Sequence, residues 1–180
     1  MSGQSDRPME GALPEDARRT NRRGRRGLRF LIRLFLLSGC AYGIFTYLLG
    51  AGIVQGDSMA PSMPGGSFFL YIRTGMSLEA GDVVIANADG VTVLKRVVAT
   101  AGDAIAFDED TGSLKINGQA ENDHSILGKT AKRSAAPMTV SKDSVYLLGD
   151  NREHSADSRD FGEVPLPSIL GKVFFIARGI

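Results

Sequence analysis

The chain has 180 residues, room for one compact domain plus an anchor, and its 21 basic and 20 acidic residues leave a net charge of +1. Its single cysteine, Cys40, excludes an internal disulfide and a cysteine metal cluster. The two histidines, His124 and His154, stand in no ligand spacing, so neither metal nor cofactor is expected. The small net charge hides an asymmetry, because Arg7, Arg18, Arg19, Arg22, Arg23, Arg25, Arg26, Arg29 and Arg33 all precede Leu34. An arginine cluster can bind nucleic acid, but one that ends against an apolar run fits membrane topology better, and no nucleic acid partner is expected.

Met1 to Asn21 is polar and without apolar period, which predicts a disordered tail; the whole of 1–33 reads as a basic cytoplasmic segment. Leu34 to Val54 carries no charge and is long enough to span a bilayer as a helix, so 34–54 is expected to be a transmembrane helix with membrane lipid as its partner. A cleaved signal peptide is the competing reading, although its apolar region is usually shorter. The next basic residue is Arg73, so the positive-inside rule places the N-terminus in the cytoplasm and the domain 55–180 outside it.

Beyond Val54 no helical apolar period appears. Short Val/Ile/Phe/Leu runs broken by glycine predict strands near Ser67–Arg73, Asp82–Asn87, Val91–Val98, Ala104–Phe107, Ser113–Ile116, Val145–Leu148 and Gly171–Ala177. The fold class is therefore mostly β, an antiparallel domain behind one helix. Asp89-Gly90 and Asp110 to Gly112 are expected to close hairpins, Asn117-Gly118 to end an arm, and Gly118 to Ala136 to form a polar surface excursion.

Three stretches carry possible chemistry. In Gly56-Asp57-Ser58-Met59-Ala60-Pro61 the proline constrains the backbone just beyond Ser58, so its hydroxyl sits on a fixed loop, although such a pattern is also common in ordinary turns. In Val91-Thr92-Val93-Leu94-Lys95-Arg96-Val97-Val98 a period of two puts Lys95 on one face with Val91, Val93 and Val97. An amine among valines loses hydration in its charged form, which lowers its pKa and suits a base; the alternative is an edge lysine bent out to solvent. Arg96, on the other face, suits a salt bridge. The third stretch, Gly149 to Arg159, follows an apolar run and is rich in pairable charge: Asp150, Arg152, Asp157 and Arg159 are expected to bridge one another and fix the loop, with Ser155 within reach of the lysine. A Ser/His/Asp arrangement built on His154 is a further chemical possibility.

These stretches, with Gly81-Asp82-Val83-Val84 and Gly102-Asp103, resemble in order the conserved boxes of type I signal peptidases. The resemblance implies an antiparallel β-domain on the membrane surface, Ser58 as nucleophile, Lys95 as general base and Ser155 as the hydroxyl that orients the amine. It implies exported preproteins as substrates, cut after small residues at −3 and −1, and a serine endopeptidase activity. The backbone around Gly56 and Ser58 would bind the oxyanion, since the serine that many bacterial members carry two residues before the nucleophile is Gly56 here. Met59, Asp82, Val83, Val84 and Ile85 are expected to line the substrate pocket. Ser62 replaces the usual threonine, and the region 104–144 is short enough that the extra subdomain of larger relatives is expected to shrink to a hairpin. A dedicated maturation peptidase, for instance for a conjugative pilin, and an anchored β-module without activity are the alternatives.

Overall fold

The computed structural model describes residues 15–108, 113–121 and 137–178. The chain divides between Gly43 and Ile44 into two units. Helix α1 (Glu15–Gly43) fills the described part of the first, and the chain continues as a π-helical turn, Ile44–Leu48. Gly27–Leu48, 22 residues with a mean hydropathy of 1.6, is long and apolar enough to cross a membrane.

Both ends of this helix differ from the expectation. It begins at Glu15 rather than Leu34, because Ala17 and the following arginines are good helix formers and extend an existing helix without a new nucleation cost. Of the tail expected to be disordered, residues 15–21 are helical, and residues 1–14 lie outside the described residues. The helical run ends at Leu48, and Leu49–Ile53 forms strand β1. Two glycines explain the change. Gly50 faces Tyr71 and Gly52 faces Phe69 across the ladder, and a Cβ on either would come within 2.1 and 2.5 Å of the opposing ring. Glycine is a poor helix former and here makes the space that the aromatic rings fill.

The second unit is antiparallel β. Its strands are β2 (Phe68–Ile72), β3 (Val83–Ala88), β4 (Val91–Thr100), β5 (Ala104–Phe107), β6 (Leu114–Ile116), β7 (Gln119–Ala120), β8 (Met138–Thr139), β9 (Ser144–Leu148), β10 (Val164–Pro165) and β11 (Ile169–Ala177), with a short helix α2 (Ser158–Phe161). Seven strands form one sheet in the order β1-β2-β11-β3-β4-β9-β10, and four form a second in the order β7-β6-β5-β8. The β3–β4 hairpin turns at Asp89 and Gly90, both at positive φ (48° and 79°), as a tight two-residue turn requires. The insertion is more than a hairpin: Asn117 and Gly118 (φ 52° and 80°) turn β6 into β7, and β8 returns to pair with β5. The expected turn at Asp110 to Gly112 lies outside the described residues, as do residues 122–136 of the polar excursion.

Alternation along the strands sorts the core. Val84, Ala86, Val97, Val145 and Leu147 share one cluster. Their sequence neighbours go elsewhere: Val83, Ile85 and Leu94 pack with Met59, Met63 and Phe69, while Val98, Tyr146 and Leu148 pack under Ile105 and Leu114 of the small sheet. The strands β3, β4 and β9 thus bury side chains on both faces, some of them under the Ser58 segment and the small sheet. A β-branched side chain at Gly52 must displace the Phe69 ring. Gly52→Val is expected to cost about 1–3 kcal/mol, read as a lower melting temperature of the detergent-solubilised chain; an unchanged melting curve would show that the ring can move away freely.

Candidate active site

Ser58 begins a turn held by Ala60 N–H on Asp57 O (3.0 Å) and Met63 N–H on Met59 O (2.8 Å), and the Ala60–Pro61 peptide is cis. Met59 and Met63 are fully buried beneath it. The half-buried serine is thus anchored by the side chain that follows it. Lys95 lies midway along β4, opposite Val84, with Val93 and Val97 two residues to either side in the same apolar surroundings. It is 4% exposed, and its Nζ donates to Ser58 Oγ at 2.8 Å.

Burial pushes the Lys95 amine below its ordinary value of 10.5. The carboxylates of Asp157 and Asp150 oppose that shift, and the Arg159 guanidinium assists it. Both carboxylates are themselves held by arginines. Asp150 takes Arg96 Nε and Nη2 at 2.7 and 2.6 Å and accepts the Ser62 hydroxyl as well. Asp157 takes Arg159 Nε and Nη2, both at 2.7 Å. Burial alone would raise the Asp157 carboxyl, but the bonds from Arg159, the Ser155 hydroxyl and the Gly149 N–H outweigh it and hold the group below the usual range.

The charged loop is structured differently from the expected set of internal bridges. Arg159 pairs with Asp157 inside it, whereas Asp150 reaches Arg96 on β4 and Arg152 reaches Glu121 at the end of β7. Asp157 also caps α2 in a reciprocal box with Asp160. Gly149 is the point of closest approach. A Cβ there would lie 2.2 Å from Ser155 Oγ and 2.6 Å from Ser58 O. Asn151 completes the closure, its N–H on Ser58 O at 3.0 Å and its Nδ2 on Asp57 O at 3.2 Å. Ser155 is 2% exposed.

The other expected residues are spread out. Gly56 has φ +77° with open space around its Cα, so backbone conformation rather than crowding favours glycine there. Among the expected pocket residues, Ile85 lines a cavity of about 280 Å³ with Val54, Gln55, Phe69, Val93 and Leu94. Val83 and Met59 are buried in the cluster that Ile85 shares, and Val84 is fully buried in the other. Asp82 accepts the Glu79 N–H at 2.8 Å and pairs with Lys172 at 2.7 Å. A second cavity, about 360 Å³, is lined by Met76, Leu78, Ala101, Val145 and Leu166, and neither cavity has the serine or the lysine in its lining. His154 is exposed, its Nδ1 3.3 Å from Asn151 Oδ1, and His124 lies outside the described residues. Among the described residues no group of three or more His, Cys, Asp or Glu is placed to hold a metal. Sequence reasoning missed Glu121, Asn151 and the pocket side chains Phe69 and Leu94, for which only strand alternation gave a signal.

A buried amine on a serine hydroxyl suits acyl transfer, and comparison with known proteins agrees. The chain is 29% identical to the mitochondrial inner membrane protease subunit 1 of Schizosaccharomyces pombe, over 83% of this chain and 85% of that protein. It is 28% identical to signal peptidase I P of Bacillus subtilis subsp. natto (72% and 79% of the two chains) and 32% identical to signal peptidase IB of Staphylococcus aureus (68% and 74%). Among solved structures, a signal peptidase I from Enterococcus faecalis aligns with 57% of this chain and all of its own, at a TM-score of 0.45 and 23% identity. The family model described as signal peptidase, peptidase S26, matches residues 27–177, and the chain belongs to that family of serine peptidases.

Proposed function

We propose that this peptidase cleaves signal peptides from exported preproteins with a Ser58/Lys95 dyad. The observation that carries the reading is the 2.8 Å contact between Nζ and Oγ within a site where burial favours the neutral amine. Neutral Lys95 takes the Oγ proton as Oγ bonds to the scissile carbonyl carbon. The ammonium then gives that proton to the leaving nitrogen as the C–N bond breaks, which leaves the acyl group on Ser58 and the lysine neutral. Water attacks the ester with Lys95 again as base, and Ser58 regains its proton as the acid product departs. The Ser58 N–H, on the backbone that follows Gly56, is the oxyanion donor of this scheme. Ser155 and the pairs Arg96–Asp150 and Arg159–Asp157 hold the loop around the amine, and Arg152 anchors it from below.

The smaller cavity is lined by the segments 53–55 and 92–94, which precede Ser58 and Lys95 in the chain, and its lining of Val54, Phe69, Ile85 and Leu94 suits small apolar side chains at −3 and −1. The apolar helix Gly27–Leu48 supports a membrane anchor, and the N-terminal arginines favour a cytoplasmic N-terminus with the β-unit on the far side. Ile53, Phe68, Phe175 and Ile176 are exposed near one end of the paired strands β1, β2 and β11, an apolar surface that fits contact with lipid.

Membranes carrying the full chain should cleave a panel of exported preproteins, a pilin precursor among them. Ser58→Ala is expected to abolish cleavage, and Lys95→Met to lower it by about 10²–10⁴-fold; activity surviving both would remove the dyad. Cleavage of one precursor alone would make the enzyme a dedicated one.

Because Lys95 must be neutral to act and its folded value lies below 10.5, kcat/KM is expected to rise with pH and level off before a free lysine would titrate. The same shift means that the unfolded state binds more protons across that window, so stability contributed by this group rises with pH there and is lost below it. A rate limb at the ordinary histidine value would argue for His154 instead. His154→Ala is expected to stay within about twofold of wild type, as an exposed substitution should; loss of turnover in a folded variant would overturn the lysine assignment.

A further inference from the structure

Arg152 has no exposed surface, and a guanidinium so placed needs a fixed counter-charge. That charge comes from the other sheet. Nη1 and Nη2 donate to the two carboxylate oxygens of Glu121, Nη2 to Oε1 at 2.7 Å. Glu121 follows β7 and is tied back by its own N–H to Leu114 O at 2.8 Å, and Leu114 belongs to the core beneath the small sheet. A two-pronged pair fixes the plane of the guanidinium as well as its position.

From Arg152 the constraint passes into the charged loop. Its Nε donates to Gly149 O at 2.9 Å, and its carbonyl accepts Arg159 Nη2 at 2.7 Å. Arg159 holds Asp157, and Asp157 accepts the Gly149 N–H at 3.1 Å. Gly149 and Asn151, two residues on, are the residues that close on the Ser58 carbonyl. An arginine released from Glu121 would therefore shift both the contacts to the serine segment and the charges of Asp150, Asp157 and Arg159 that surround Lys95.

We propose that Glu121 is a positioning residue of the peptidase, holding Arg152 so that the loop from Gly149 to Asp157 stays closed on the Ser58 segment. The proposal rests on the dyad reading above. It gives the four-stranded sheet a part in maintaining the catalytic geometry.

The test uses the full chain in detergent with Glu121→Gln, which keeps the shape and removes the charge, and Glu121→Ala. Lys115→Ala is the control, because the Lys115–Asp108 pair lies in the same region at its surface. The readouts are kcat and KM for a preprotein, the pH profile, and the titration of Lys95 followed by NMR of ¹³C-labelled lysine, assigned by its loss in Lys95→Met. Both Glu121 variants are expected to lose kcat by about ten- to a hundredfold with KM changed far less, to move the rising limb and the Lys95 titration to higher pH, and to leave Lys115→Ala at wild-type values. Unchanged kcat and an unchanged Lys95 titration in both variants would overturn the proposal. So would an equal loss in Lys115→Ala, which would assign the effect to the sheet as a whole. If Glu121→Ala does not fold, Glu121→Gln decides. Wild type and Ser58→Ala that are equally inactive would instead remove the peptidase mechanism, and the Lys95 titration would still decide whether Glu121 shapes the site.

Discussion

The burial of one lysine amine against one serine hydroxyl is the constraint on which the rest of the domain depends. A charged amine strongly prefers water, and a site that keeps Lys95 at 4% exposure must either pair it or favour its neutral form. Here carboxylates lie near enough to raise its affinity for a proton, but each is engaged by a guanidinium: Asp150 by Arg96 and Asp157 by Arg159. Their fields are partly cancelled, and desolvation prevails. The amine thus lies near carboxylates that are already paired, without a dedicated counter-ion.

Holding that balance requires a loop that does not drift. Buried ion pairs are poor sources of net stability, since desolvation consumes much of what the contact returns, but their geometry is demanding. Asp157 shows how far one side chain is used: it accepts Gly149 N–H, pairs with Arg159 and caps α2. Breaking any one of these contacts would leave the others strained around a buried charge. Gly149 supplies the complementary condition, the absence of a Cβ where Ser155 and the Ser58 carbonyl meet. The closure is therefore steric on one side and electrostatic on the other.

Much of the fold was legible because alternation along a strand is a local property. Val91 to Val98 announced β4, and Asp89-Gly90 announced its turn, since few other residues accept the positive φ that both adopt. The apolar run was legible as a helix long enough to span a membrane, but its end was not. Leu49–Ile53 is uncharged and could have continued the helix; it becomes a strand because Tyr71 and Phe69, some twenty residues later, need the space above Gly50 and Gly52. The small sheet was under-read for the same kind of reason, as β8 has two residues and acquires its identity from β5 beside it.

For the site, the sequence by itself determined the chemical types: a serine on a constrained turn, a lysine among valines, and a loop rich in pairable acids and bases. Local pattern suffices for this, because period, turn chemistry and charge are written along the chain. Only the tertiary structure decided the partners. Asp150 could have met Arg152 or Arg159 within its own loop and instead meets Arg96; Arg152 finds Glu121, just beyond β7 of the other sheet; and Nζ of Lys95 lies 2.8 Å from Ser58 Oγ across 37 residues. Which charges meet depends on how strands stack and where desolvation is most complete, and that is fixed by packing between segments far apart in the chain.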